Sequence, residues 1–319
     1  MTERRRQQAK AYSNPSFLSS KDARVLRILS EYLEPKSRFE RLHVDDTIVF
    51  MGSARVNSRE RAEAALRKAE GGTGDLEGAR MALKMAVYYE AARELAFRLT
   101  QWSKALDSHE RRFVVCTGGG PGIMEAANRG AADARGMNVG LTISLPAEEF
   151  GNPYVTHELA FHFHYFFMRK FWFAYLATAV IVFPGGFGTL DEMFELLTLR
   201  QTRKMSKPMP IVVFGTEYWR QVVDFGALVR HGTINARDLE LMHHTDSVDD
   251  AYNWIVQQLS EHALGQPGPM LLTPLLVTRR SFFVTVFHER AHPDPHGRLR
   301  PGDDDLQPRV EDHGRPAHG

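Results

Sequence analysis

The stretch FPGGFGTLDEMFE, Phe183–Glu195, joins an apolar run to a helical pattern through a turn with three glycines. Three carboxylates, Asp191, Glu192 and Glu195, follow the turn directly. A turn with so little side-chain bulk before a helix lets a phosphate approach the N–H groups of the helix N-terminus. The stretch therefore predicts a strand–turn–helix unit of an α/β fold with an anion-binding turn.

Apolar runs that read as strands alternate with amphipathic helical segments from Asp46 to about His262. Most of these runs are apolar at every position, which is typical of strands buried on both faces of a parallel sheet. We therefore predict an α/β fold, a Rossmann-like doubly wound parallel sheet flanked by helices. Residues 46–264 form this domain, and 265–319 form a C-terminal arm and mobile tail.

An extension with its own helix, residues 1–43, precedes this domain. Apolar residues recur in it at helical spacing, with Ser20 as the predicted N-cap and Pro35 as the predicted end of the helix. Such an apolar stripe needs a surface to cover. We expect it to pack on the main domain or on a partner subunit.

Composition excludes several classes of protein. The 319 residues include 40 Lys+Arg and 39 Asp+Glu, so no global charge recruits nucleic acid or an anionic membrane. The single cysteine, Cys116, excludes an internal disulfide and is expected in the core, and MTERRRQQAK lacks the apolar segment of a secretory signal. The apolar run Phe171–Phe183 is too short to span a bilayer. We expect a cytoplasmic protein without a membrane or nucleic-acid partner.

Small residues occupy three turns that follow predicted strands: Gly52-Ser53-Ala54, Gly118–Gly122 and Gly185–Thr189. Each turn leaves room for a phosphate at the carboxyl end of a parallel strand. None reads G-x-G-x-x-G with an acidic residue at the spacing of a dinucleotide site, which weakens the dinucleotide interpretation. The alternative is that the glycines only make tight turns.

Glu192 has two interpretations. Thr189 as N-cap and Glu192 three residues later would form a capping box, whereas a catalytic carboxylate would face the turn. Glu192 and Glu195 are expected to share a helix face, with Asp191 pointing elsewhere. Arg169, in the segment MRK between apolar residues, is expected to be partly buried with an anionic partner.

The chain carries four motifs in the order GSAR, TGGGPGIMEAAN, MRK and PGGFGTLDE. With these motifs it resembles the long bacterial type of the LONELY GUY (LOG) family of nucleoside 5'-monophosphate phosphoribohydrolases. The resemblance spans about residues 46 to 260. It implies that Glu192 and Arg169 are the catalytic pair. It also implies a substrate-binding set: Gly52, Ser53, Gly119, Gly120, Lys170, Gly185, Gly186, Gly188 and Thr189.

The family further implies hydrolysis of the N-glycosidic bond of a nucleoside 5'-monophosphate, AMP-like or a cytokinin riboside monophosphate, to free base and ribose 5-phosphate. We expect the reaction to need neither a metal nor an organic cofactor. The family also implies a homodimer with the MRK helix and the helix after Thr189 near the interface. The alternative from another class is a non-catalytic carrier of a nucleotide or of a phosphate-bearing cofactor of the molybdopterin type.

Two other sites have weaker support. His162 and His164 alternate in FHFHYF and would share one face of a strand, but the sequence positions no third metal ligand. Lys170 would have to form a Schiff base in a pyridoxal enzyme, as the family's old label "lysine decarboxylase" requires. Nothing around Lys170 in the sequence supplies the rest of that cofactor's site.

Overall fold

A seven-stranded sheet forms the centre of the protein. The computed structural model describes residues 9–106, 111–144, 151–205, 207–266 and 268–269, all within the compact unit Met1–Pro274. The strands are β1 Thr47–Met51, β2 Val114–Thr117, β3 Asn138–Ile143, β4 Ala160–Phe163, β5 Ala177–Val182, β6 Ile211–Phe214 and β7 Met242–Thr245. Their order is β4-β3-β2-β1-β5-β6-β7 and every neighbouring pair is parallel. The predicted Rossmann-like fold is confirmed.

Helices cover both faces of the sheet. The α-helices are α1 Pro15–Leu18, α2 Arg24–Arg41, α3 Arg59–Glu70, α4 Leu76–Lys104, α5 Ile123–Asp133, α6 Phe166–Leu176, α7 Phe187–Gln201, α8 Thr216–Val222, α9 Phe225–Arg230 and α10 Val248–His262. Alternate residues of β1 point to opposite faces. Val49 packs in a cluster with Trp172 of α6, and Ile48 packs in another with Leu95 of α4 and Ile123 of α5.

The strand order reverses at β1. The chain builds β1 to β4 outward on one side and returns with β5 to the other side of β1. In open parallel sheets, ligands bind beyond the carboxyl ends of the strands at such a reversal. The turns after β1 and β5 therefore lie where the fold itself favours a binding site.

The N-terminal helix α2 differs from the prediction at both ends. It begins at Arg24 with Ala23 as N-cap, not at Ser20, and it continues through Pro35 to Arg41. Pro35 has no N–H to donate to the carbonyl of Glu31 four residues earlier. That carbonyl accepts the indole N–H of Trp172 on α6 at 3.0 Å instead, so a contact distant in sequence lets the helix pass through the proline.

The apolar run Phe171–Phe183 divides between the end of α6 and β5. Across the described ranges, no helix combines the length and the apolar character that crossing a membrane requires. The tail, Leu275–Gly319, lies outside the described residues. The boundary between extension and main domain stays a prediction, although α2 buries Phe39 in the same cluster as β1.

Candidate active site

A cavity of about 740 Å³ opens at the carboxyl ends of β1 and β5. This volume is in the range of small-molecule sites. Its wall includes six of the predicted substrate-binding residues together with both predicted catalytic residues: Gly52, Ser53, Gly185, Gly186, Gly188, Thr189, Arg169 and Glu192. The fold therefore brings the first and third glycine turns to one cavity.

Glycines hold the turn after β1 against the start of α5. A Cβ on Gly52 would lie 2.7 Å from the side chain of Ile123. Gly122 has a φ of +72°, and a Cβ there would lie 2.2 Å from the carbonyl oxygen of Ser53. That same carbonyl accepts the N–H of Ile123 at 3.1 Å. Both positions require glycine for this close approach.

The helix after the third turn begins earlier than predicted. Its N-cap is Gly186 and its first residue is Phe187, so Thr189 lies within the first turn and the predicted capping box does not form. Thr189 packs back on Gly185, where a Cβ would lie 2.1 Å from its hydroxyl oxygen. A Cβ on Gly188 would meet nothing within 4 Å. The first N–H groups of α7 lack partners within the helix, and residues of this first turn, Phe187, Gly188 and Thr189, line the cavity.

Glu192 and Arg169 form an ion pair at the cavity wall. Arg169 Nη2 donates to Glu192 Oε1 at 2.7 Å, and the side chains are only 13% and 12% exposed. The guanidinium also lies over the rings of Phe166 and Phe173, 5.2 and 5.7 Å from their centroids. These contacts fix a charged pair that α6 and α7 supply from opposite sides.

Burial shifts the pKa of Glu192. Desolvation raises the pKa of the Glu192 carboxyl above its ordinary value of 4.5, and this effect exceeds the lowering by Arg169 and Lys170. Desolvation disfavours the charged form of a carboxyl, and a nearby cation favours it. Strongly perturbed carboxyls in clefts are frequent at functional sites.

Lys170 does not face this cavity. Its Nζ lies 2.7 Å from Asp191 and 2.9 Å from Glu195. Asp191, which was expected to point away from Glu192 and Glu195, therefore contacts the same ammonium as Glu195. Burial lowers the pKa of Lys170, but the two carboxylates together raise it by more than burial lowers it, so the net shift of the pKa is upward. An ammonium held in this way is a poor candidate for Schiff-base formation.

Two glycines of the second turn, Gly119 and Gly120, were predicted to bind substrate but do not line the cavity. Gly118 lines the cavity, whereas Gly119 and Gly120 are buried outside its wall. The N–H of Gly119 donates to Thr117 Oγ1 at 2.9 Å, and both carbonyls accept from the Asn152 side chain. This geometry does not favour Gly119 or Gly120 as direct phosphate ligands.

A buried amide network supports the second turn. Asn128 accepts from Thr117 Oγ1 at 2.6 Å and from Asn152 Nδ2 at 2.9 Å. Its own amide donates to Asn138 Oδ1 at 2.9 Å and to the Val139 carbonyl at 3.3 Å. Each polar atom of this buried side chain therefore has a partner, which stabilises one conformation of the turn.

Sequence reasoning missed several cavity residues. Tyr218 of α8 lines the wall and donates its hydroxyl to the Gly185 carbonyl at 2.9 Å. Phe166 and Met124 add apolar surface, and Arg55 of the GSAR segment lies at the rim. Arg55 and Phe166 stand within motifs quoted above, but Tyr218 has no local signal because the pairing of β5 with β6 brings it there.

The weaker sites find no support in the described ranges. No group of three or more His, Cys, Asp or Glu side chains there is arranged to hold a metal. His162 lies on β4, with its ring nitrogens 3.0 Å from Thr142 Oγ1 and 2.8 Å from Ser144 Oγ. His164 follows the strand and does not share it. Cys116 is 2% exposed, which confirms its place in the core.

Comparison with known proteins supports the resemblance. Residues 124–255 match the profile of a family described as "Possible lysine decarboxylase". The pyrimidine/purine nucleotide 5'-monophosphate nucleosidase of Escherichia coli (strain K12) is 31% identical over 154 residues, which cover 44% of this chain and 32% of that relative. The chain thus spans about a third of the length of the curated relatives it matches.

Two solved structures show a weaker likeness. The molybdenum cofactor binding protein from Rippkaea orientalis is 20% identical, with 54% of this chain and 87% of that chain covered and a TM-score of 0.38. The Moco carrier protein from Chlamydomonas reinhardtii is 18% identical, with 68% and 99% covered and a TM-score of 0.40. These scores are too low to indicate a ligand. By its sequence motifs and the matching profile, the chain is similar to the LOG-type family whose profile is described as "Possible lysine decarboxylase".

Proposed function

We propose that the protein is a cytoplasmic enzyme that hydrolyses the N-glycosidic bond of a nucleoside 5'-monophosphate. Water adds to the anomeric carbon, the bond to the base breaks, and free base and ribose 5-phosphate leave. The observation that carries this proposal is the buried ion pair between Glu192 and Arg169, 2.7 Å apart beside an unobstructed helix N-terminus.

The phosphate would bind at the start of α7. Its first-turn N–H groups, with the open space at Gly188 and the hydroxyl of Thr189, offer donors and a favourable dipole for an anion. Tyr218 stabilises the turn by binding the Gly185 carbonyl. Arg55 at the rim is a further cation within reach of an entering nucleotide.

The ribose would then lie against Glu192. Glu192 lies four positions after Gly188, which is about 6 Å along a helix and a span that a ribose with its 5'-phosphate can bridge. Departure of the base gives the sugar oxocarbenium character, which a carboxylate stabilises. We assign Glu192 to positioning the ribose hydroxyls and the attacking water, with Arg169 holding the carboxylate in place.

The base would pack against the apolar part of the wall. Phe166, Phe173 and Met124 border the cavity close to Arg169. Aromatic faces and a guanidinium plane stack with any nucleobase. The choice among AMP, other monophosphates and cytokinin riboside monophosphates is decided by assay.

Incubation with a panel of nucleoside 5'-monophosphates, with chromatographic detection of the released base, tests the proposal. Release of base and ribose 5-phosphate in equal amounts supports hydrolysis. Binding without cleavage of any nucleotide would support a non-catalytic carrier, which needs the glycine turns but not the pair of Glu192 and Arg169.

We also propose a homodimer formed through α6 and α7. Aromatic side chains on these helices are exposed near the cavity mouth, and Phe187 is 92% exposed. Several large exposed apolar side chains on two neighbouring helices favour an interface, because monomers rarely expose large apolar patches. Sedimentation of the wild type and of Phe187→Glu tests it, and a wild-type monomer would contradict it.

A further inference from the structure

Glu31 of the extension helix α2 forms hydrogen bonds with the start of α6, the helix that carries Arg169. Its carboxylate accepts the backbone N–H of His164 at 2.8 Å and that of Tyr165 at 3.2 Å. Tyr165 is the N-cap of α6, and its own side chain makes no capping hydrogen bond. A carboxylate from another helix therefore satisfies N–H groups at the N-terminus of α6, where negative charge is favoured.

Glu31 binds α6 a second time through its main chain. Since Pro35 leaves the Glu31 carbonyl without a helical partner, this carbonyl accepts the indole N–H of Trp172. Trp172 is 1% exposed and stacks on Tyr32, with ring centroids 5.8 Å apart. The two hydrogen-bonding groups of one residue thus fix both the start and the second turn of α6.

The catalytic arginine lies between these two attachment points. The carbonyl of Tyr165 accepts the N–H of Arg169 at 3.2 Å. Glu31 therefore holds the N–H of Tyr165, the same residue whose carbonyl accepts from the backbone of Arg169. Arg169 then reaches Glu192 on α7 at 2.7 Å.

We propose that Glu31 is a positioning residue that holds α6 so that Arg169 meets Glu192 in the geometry of the reaction. The proposal rests on the proposed function for its effect on turnover. It gives the extension a role in the active site without contact to substrate. The phosphate turn belongs to α7 and β5, so nucleotide binding depends less on Glu31 than turnover does.

The test compares Glu31→Ala and Glu31→Gln with Glu40→Ala. Glu40 is a carboxylate on the same helix that pairs with exposed Lys36, so its loss controls for a general weakening of α2. The rate of amide hydrogen exchange in the segment 164–172 measures how firmly Glu31 holds the N-terminal part of α6. The values of kcat and KM for AMP measure the effect of Glu31 on the active site.

We expect faster exchange in 164–172 for Glu31→Ala, a kcat lower by about tenfold and a KM within about twofold of wild type, since small misplacements of a catalytic group reduce rate steeply. Glu31→Gln keeps one acceptor oxygen, and its exchange and kcat should lie between those of wild type and Glu31→Ala. Glu40→Ala should match the wild type in all three measurements.

Equal exchange in Glu31→Ala and Glu40→Ala would overturn the proposal, because α6 would then not depend on the carboxylate. Faster exchange with unchanged kcat would also overturn it, since Glu31 would then serve stability alone. A wild type that cleaves no nucleotide would refute the proposed function, while the exchange comparison would still decide whether Glu31 holds α6.

Discussion

Arg169 on α6 and Glu192 on α7 are joined by a 2.7 Å ion pair whose two side chains are nearly buried, although both line an open cavity. Burial raises the pKa of Glu192 despite the arginine. Burying this ion pair costs desolvation free energy, so the pair is weak evidence of a contribution to folding stability. Its position at the wall of a cavity is better explained by a role in binding or transforming a ligand.

Replacement of Glu192 by glutamine tests whether the carboxylate acts in catalysis. Glutamine keeps the shape and can still accept from Arg169, but it cannot carry the negative charge that stabilises a developing cation. We expect kcat to fall by at least about 10²-fold with little change in melting temperature. Glu195→Gln is the matched control, because Glu195 pairs with Lys170 outside the cavity wall. A fully active Glu192→Gln variant would contradict the assignment.

The pH dependence of turnover follows from the raised pKa of Glu192. In the proposed reaction Glu192 acts as the ionised carboxylate, so kcat should fall as pH decreases through a value above the ordinary 4.5 of a glutamate. The contribution of Glu192 to folding stability changes with pH in the direction opposite to kcat. The contribution of Glu192 to folding is greatest below its ordinary pKa and is lost as pH rises through the raised one. An acid limb at or below the ordinary value would contradict the burial argument.

Removal of Arg169 tests the ion pair itself. Arg169→Leu leaves the buried Glu192 carboxylate without its partner, which should destabilise the fold by about 3 kcal/mol near neutral pH. Urea unfolding measures this, and the loss should shrink in acid, where Glu192 takes up a proton. The double variant with Glu192→Leu should recover much of the stability, since no uncompensated charge remains. Measurement of Glu192→Leu alone completes the cycle, and a double variant destabilised by the sum of the two single losses would show that the pair is not coupled.

Much of the fold follows from local pattern, because strands buried on both faces are almost entirely apolar, as in β1 and β5. The polar strand β7, with the sequence MHHT, has no such pattern, and the sequence analysis missed it. Helix α7 starts at Phe187 because backbone geometry at Gly186, not a capping side chain, ends the turn. The helix through Pro35 depends on Trp172, which no local rule can supply.

The residues of the candidate site also fall into those that the sequence predicts and those that only the structure reveals. Motifs and family resemblance pointed to Glu192, Arg169 and the turns after β1 and β5, all of which line one cavity. Lys170, adjacent to Arg169 in sequence, points to Asp191 and Glu195 because successive residues of a helix face different directions. Tyr218 could be found only from the order of the strands.

Substitution of Gly188 by alanine tests the phosphate site without disturbing the fold. A Cβ there meets nothing within 4 Å, and alanine in place of helical glycine stabilises by about 0.5–1 kcal/mol. We expect an unchanged or higher melting temperature together with a raised KM for AMP, because the methyl group occupies space intended for phosphate. Gly265→Ala, also in open space but away from the cavity wall, is the control. An unchanged KM in Gly188→Ala would place the phosphate elsewhere.

The most direct measurement compares kcat/KM for AMP and adenosine with the wild-type protein, by detection of released adenine. Binding of the remote phosphate contributes to cleavage of the glycosidic bond if the N-terminus of α7 and Glu192 act on one ligand. We predict that AMP is cleaved at least about 10²-fold more efficiently than adenosine. Equal efficiencies, or no release of adenine from either compound or from any other monophosphate, would contradict the account.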